Sequence, residues 1–168
     1  MAQIYISVGS NTNRDHYIRM AIEELQQAFT DICLSSVYES EAVGFQGDAF
    51  YNMVVGAQTA LSIAECVSLF KAIEDRHGRI RGGEKFCGRT LDLDLLLYDD
   101  VICKVPVELP RGEISENAFV LWPLAEIAAG LKHPVLQQSY ALLWQHYNKP
   151  QKLWPVPFVF CPGSVESN

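Results

Sequence analysis

From Thr90 to Tyr98 the chain reads Thr-Leu-Asp-Leu-Asp-Leu-Leu-Leu-Tyr, and no other stretch narrows its possible folds as much. Side chains of a strand alternate between faces, so Asp92 and Asp94 are predicted to project one way and Leu91, Leu93, Leu95 and Leu97 the other. One face of the resulting sheet must be apolar core, and the other must tolerate two neighbouring anions. Carboxylates held side by side and half-buried repel each other unless divalent cations or arginines neutralise them. The pair therefore has the form of a metal clamp. Arg89 offers either part of that neutralisation or a grip on the anionic substrate that such metals accompany. The competing reading is a structural network in which the aspartates pair with Arg79, Arg81 or Arg89.

The basic residues reinforce the first reading. Of 13 lysines and arginines, five (Arg76, Arg79, Arg81, Lys85 and Arg89) fall in the short segment before the aspartates, in a chain of net charge −7. An acidic protein with one local cationic pocket suits a small polyanion such as a nucleoside triphosphate. It is poorly suited to nucleic acid or an anionic membrane surface, which attract proteins through bulk positive charge. The five cysteines (Cys33, Cys66, Cys87, Cys103, Cys161) are scattered in apolar segments without C-x-x-C spacing, and the four histidines form no metal-binding helix motif, so they read as reduced core residues with no zinc site. No apolar run is long enough to span a bilayer, and the start of the chain lacks the basic and apolar regions of a signal peptide. A cytoplasmic location is the expectation.

At 168 residues the chain is expected to form a single domain over 1–168, with an extended tail from about residue 149 carrying Trp154, Phe158 and Phe160. Ile4 to Val8 alternates as a strand, Gly9-Ser10-Asn11-Thr12-Asn13 supplies a turn, and Ile18, Ile22, Leu25 and Phe29 recur at helical spacing. Strands are predicted at Ile32–Tyr38 and Phe50–Ala57, paired antiparallel. Ser62 with Glu65 is a capping-box signature that opens a helix burying Ile63, Val67, Phe70 and Ile73. Gly78 ends that helix, the segment 79–88 is a loop, and the aspartate strand follows. Beyond it lie an extended segment Val101–Leu109, a helix over Leu121–Ala129 with proline in its first turn, and a last helix near Tyr140–Tyr147. The order β-α-β-β-α-β predicts an α+β ferredoxin-like antiparallel sheet with helices on one face. The C-terminal helical segment is expected to cover part of the other face.

Two nucleotide-binding architectures are excluded because neither G-x-x-x-x-G-K-[ST] nor G-x-G-x-x-G occurs. A serine hydrolase is unsupported without G-x-S-x-G. Gly9-Ser10-Asn11 has two readings, a phosphate cradle at a helix N-terminus and a plain capping turn.

The segment Arg79-Ile80-Arg81 through Phe86, with Arg89-Thr90-Leu91-Asp92-Leu93-Asp94 after it, resembles the signature of the 6-hydroxymethyl-7,8-dihydropterin pyrophosphokinase family of folate biosynthesis. Val8-Gly9-Ser10-Asn11, Ser35-Ser36-Val37-Tyr38, Tyr51-Asn52 and Phe119 to Leu124 follow in the family's order, so the resemblance extends to about residue 145. It implies transfer of a pyrophosphoryl group from ATP to the hydroxymethyl oxygen of the pterin, releasing AMP. It further implies that Asp92 and Asp94 hold two Mg2+ ions on the triphosphate and that Arg79 and Arg89 assist the transfer. ATP would be contacted by Glu74, Arg81 and Arg111, and the pterin by Ser40, Val43, Phe50, Asn52, Phe86 and Phe119. Metals and arginines suffice for such chemistry, because it spreads charge over phosphoryl oxygens without a protein nucleophile.

The chain departs from the family pattern at five places. Cys87-Gly88 replaces Gly-Pro, Phe86 replaces tryptophan, and Ser40-Glu41-Ala42 lacks the usual Thr-Pro-like residues. Arg111 stands at a histidine position and Asn117 at an arginine position. The alternative reading is a catalytically weakened paralogue that binds pterin or nucleotide. A palm-like domain joining nucleotides with its carboxylate pair is a third.

Overall fold

The computed structural model of the protein describes residues 1–40, 49–78 and 91–158. The elements run β1 (Ala2–Ser10), α1 (Arg14–Ala28), β2 (Thr30–Leu34), β3 (Val37–Ser40), β4 (Phe50–Thr59), α2 (Ile63–Arg76), β5 (Asp92–Tyr98), α3 (Glu113–Glu116), α4 (Ala118–Ile127), α5 (Tyr140–Gln145) and β6 (Leu153–Val156). Six strands form one sheet in the order β5-β1-β4-β3-β6, with β2 also pairing β4. Every pairing is antiparallel. This is the expected α+β ferredoxin-like sheet, extended at one edge by the tail.

Alternation along the strands separates two apolar clusters. Ile4, Ile6 and Val8 of β1, Met53 and Val55 of β4, and Leu91, Leu93 and Leu95 pack with Ile18, Ile22 and Leu25 of α1 and Phe70 and Ile73 of α2. Val54, Leu96 and Leu97 pack on the opposite face with Val120, Leu121 and Leu124 of α4 and Tyr140 of α5.

Leu97 thus departs from its predicted face. The register slips so that Tyr5 opposes Leu97 and Ile6 opposes Leu95, leaving Leu96 as an extra residue. A bulge of this kind reverses the alternation beyond it. The predicted strand Ile32–Tyr38 is likewise two strands, interrupted at Ser35-Ser36. Ser35 Oγ accepts from Val54 N at 2.9 Å, while Ser36 N and Oγ donate to Glu126 of α4 at 3.0 and 2.7 Å. Tyr38 Oη donates to the same carboxylate at 2.8 Å. The interruption is where α4 is tethered across the sheet.

The capping box of α2 is present, with Glu65 N donating to Ser62 Oγ and Ser62 N to Glu65 Oε1. Its buried stripe is Cys66, Phe70, Ile73 and Glu74, whereas Ile63 and Val67 are only half-buried. α4 begins at Ala118, three residues before the predicted start, and Pro123 lies inside it. Its first turn is nevertheless closed, Val120 N and Leu121 N both donating to Asn117 O. Of the tail, Leu153–Val156 form β6 and pair with β3. Phe160 lies outside the described residues.

Candidate active site

The register of the sheet assembles a polar patch on the face opposite α1 and α2. Asp92 lies beside Gly9 and Asp94 beside Ser7, while Gly9 faces Asn52 and Phe50 faces Ser40. Together with Phe119 of α4, these residues border a cavity of about 650 Å³. Glu113, Asn117 and residues Pro150 to Leu153 complete its described walls. A second cavity of about 310 Å³ is bordered by Glu74, Lys71, Val107 and Arg111, and it shares Asp92 and Asp94 with the first. The two aspartates thus stand between two chambers.

The first chamber has the makings of a site for a flat, hydrogen-bonding heterocycle. Asn52 is 5% exposed, and its Nδ2 donates to Ser40 Oγ at 3.3 Å, which fixes the amide plane. Gly9 makes room for that amide: a Cβ at position 9 would stand 2.9 Å from Asn52 Oδ1. Close approach therefore accounts for Gly9, which belongs to β1. The cap of α1 is Asn13, in the left-handed region at φ 47°, with no side-chain capping bond. The helix-capping reading of Gly9-Ser10-Asn11 is corrected accordingly. Phe50 and Phe119 are half-buried at the chamber wall, positioned to offer aromatic surface to a ring.

Residues of the second chamber also complete the outer edge of β5, an edge strand with backbone groups to satisfy. Glu74, 7% exposed, accepts from Leu93 N at 2.8 Å. Arg111 N donates to Leu96 O at 3.0 Å, and its Nε donates to Leu95 O at 3.2 Å. These bonds hold the guanidinium alongside the aspartates, with Nη2 at 3.7 Å from Asp94 Oδ1. Asp94 keeps 44% of its side chain exposed.

Glu113 was not singled out from the sequence. It is two positions after Arg111, at the start of α3, and spacing alone gives no signal of its place near β5. Partial burial, the negative charge of Asp94 and that of Asp92 raise its carboxyl above the ordinary glutamate range, against the lowering effect of Arg111. The tail residues on the cavity wall were missed for the same reason: only tertiary contact carries them there.

Among the described residues no group of three or more histidine, cysteine, aspartate or glutamate side chains converges to hold a metal ion. Two carboxylates beside an open chamber nonetheless fit magnesium. That ion favours one or two protein carboxylates and takes its other oxygens from substrate phosphates and water. Of the residues picked out by sequence, Ser40, Phe50, Asn52, Phe119, Asp92 and Asp94 share the first chamber, and Glu74 and Arg111 join the aspartates in the second. Arg79, Arg81, Arg89, Val43 and Phe86 lie outside the described residues, as do the Cys87-Gly88 and Glu41-Ala42 departures.

Known proteins resemble this arrangement and its sequence. The profile of the 7,8-dihydro-6-hydroxymethylpterin-pyrophosphokinase family matches residues 5–129. The 2-amino-4-hydroxy-6-hydroxymethyldihydropteridine pyrophosphokinase of Aquifex aeolicus is 36% identical over 141 residues, covering 82% of this chain and 88% of that protein. The Bacillus subtilis protein of the same name is 40% identical over 128 residues, covering 73% and 76% respectively. The crystal structure of wild-type Plasmodium falciparum HPPK-DHPS superposes with a TM-score of 0.68 at 13% identity. That match covers 87% of this chain but only 44% of the Plasmodium chain, and it speaks for the fold alone.

Proposed function

The chain belongs to the 7,8-dihydro-6-hydroxymethylpterin-pyrophosphokinase family, and we propose that it moves the pyrophosphoryl group of ATP onto the hydroxymethyl oxygen of the dihydropterin with the help of magnesium. The alcohol oxygen bonds to the β-phosphorus of ATP as the bond from that phosphorus to the α-phosphate oxygen breaks. AMP and the pterin diphosphate leave, and the alcohol proton is lost to solvent. One observation carries this reading: Asp92 and Asp94 stand at the meeting of a chamber containing an anchored amide and two aromatic rings with a chamber containing an arginine. An acceptor in the first and a triphosphate in the second would bring the reacting oxygen and phosphorus together at the aspartates. Proximity and alignment of this kind supply much of the rate in phosphoryl transfer.

In this reading Asp92 and Asp94 hold two magnesium ions, which when bound neutralise the phosphate oxygens of ATP. Asn52 hydrogen-bonds the pterin edge, Phe119 and Phe50 cover its ring, and Ser40 orients Asn52. Arg111 adds positive charge toward the nucleotide. Glu74 keeps β5 in register beneath the aspartates and faces the ATP side. Arg79 and Arg89 are assigned to stabilising the transferred group, Arg81 to ATP, and Val43 and Phe86 to the pterin, on sequence grounds. No helix of the described residues is long and apolar enough to cross a membrane. We assign the enzyme to the cytoplasm.

The test is direct. Purified protein incubated with ATP, magnesium and 6-hydroxymethyl-7,8-dihydropterin should release AMP in step with pterin diphosphate. AMP formed at the same rate without the pterin, or no AMP at all, would refute the assignment.

A further inference from the structure

Residues Pro150 to Leu153 line the acceptor chamber, and this stretch is fixed on either side of Lys152. On one side Gln151 Oε1 accepts from Ala118 N at 2.7 Å, and its Nε2 donates to Glu116 O at 3.2 Å. On the other side Leu153 pairs with Ser40 and Trp154 with Glu39 in the β3·β6 ladder. Trp154 Nε1 donates to Glu39 Oε1 at 2.9 Å, and Arg14 Nη1 donates to Glu39 Oε2 at 2.7 Å. Phe158 then meets the edge of the Tyr51 ring at a centroid distance of 6.0 Å. Lys152 sits between the two anchors on the chamber wall.

Its charge is out of balance with its surroundings. The described walls of this chamber carry Asp92, Asp94 and Glu113, and Lys152 is their one cation. An uncharged pterin alcohol gives a lysine no anion to pair with. The diphosphate ester left in the chamber after transfer does, because an ammonium is a compact point charge suited to phosphate oxygens.

We infer that the strap of residues 150–153 is a wall of the acceptor site and that Lys152 Nζ binds the pyrophosphoryl group as it arrives on the pterin. The inference rests on the pyrophosphokinase reading, so wild-type AMP release is measured first. Equilibrium titrations in magnesium buffer then compare 6-hydroxymethyl-7,8-dihydropterin with its diphosphate on the full chain and on Lys152→Ala and Lys152→Arg. Lys152→Ala should weaken the diphosphate about tenfold, the scale of a lost charge-assisted hydrogen bond. Its affinity for the neutral pterin should stay within about twofold, and Lys152→Arg should recover most of the loss. Unchanged diphosphate affinity in an active protein overturns the role of Lys152 and leaves the enzyme assignment standing. Equal weakening of both ligands also overturns it, by showing that the lysine only supports the strap. Absence of wild-type AMP release removes the enzyme assignment and this inference together.

Discussion

The two faces of the sheet draw on the same strands and serve opposite ends. Beneath α1 and α2, Ile4, Ile6, Val8, Met53, Val55 and Leu95 are at most 1% exposed and form a close-packed core. One residue away along the same strands, Ser7, Gly9, Asn52 and Asp94 border the first chamber. The contrast teaches how a small protein fixes reactive groups. Ser7, Asp92 and Asp94 are each flanked in sequence by buried apolar neighbours on both sides, so they are held by the stiffness of a packed sheet.

This division of labour can be broken from either side. The largest effect is expected from Asp92→Asn or Asp94→Asn, which should lower AMP release by about three orders of magnitude or more while leaving the melting temperature nearly unchanged. Steady-state rates beside thermal melts check both halves, and a large loss of stability would contradict the separation. Leu95→Ala acts on the opposite face and should destabilise the fold by about 2–5 kcal/mol, with little change in turnover per folded molecule. Urea titration reads the first quantity and active-site titration the second.

Gly9→Ala probes the seam, because its methyl group would press on Asn52. The KM for the pterin should rise by about tenfold, with ATP binding retained. Ser62→Ala removes the cap of α2 on the core face and should cost about 1 kcal/mol of stability with no kinetic effect.

The smallest expected effect is a pH dependence in the layer behind the chamber. His133 is buried, and its Nδ1 accepts from Val135 N and Leu136 N, both at 3.1 Å. Burial lowers its pKa from 6.5. Between the lowered folded value and the ordinary unfolded one, the unfolded chain binds more protons, so stability is intact above about pH 6.5 and declines as pH falls below it. Thermal melts from pH 7.5 to 5 should show this decline in the wild type and a shallower one in His133→Asn.

How far these faces were legible depended on whether their signals were local. The leucine and aspartate alternation from Leu91 to Leu95, the Ser62–Glu65 box and the helical spacing of Ile18, Ile22 and Leu25 are each local signals, and the structure bears them out. The bulge at Leu96 was not legible, since it lies in the pairing of β5 with β1 and leaves no mark on composition. Nor was the break at Ser35-Ser36, which depends on a carboxylate ninety residues away, Glu126. Ser40, Phe50, Asn52, Asp92, Asp94 and Phe119 were picked out from motif order and border one chamber, but Glu113 and Lys152 belong to no motif and reach it only by folding.

The amino-acid order by itself determined that two carboxylates share a strand face, that helices cover the other face, and that the chain follows a pyrophosphokinase pattern. These follow from periodicity and short-range chemistry, which need no knowledge of distant contacts. Tertiary structure alone decided that Asp92 and Asp94 line two chambers, that Gly9 yields space to Asn52, and that the tail returns to the sheet edge and brings a lysine onto the chamber wall that also carries the acids. Such arrangements are set by packing between segments far apart in the chain, where the free energy of burial, and not local preference, selects the neighbour.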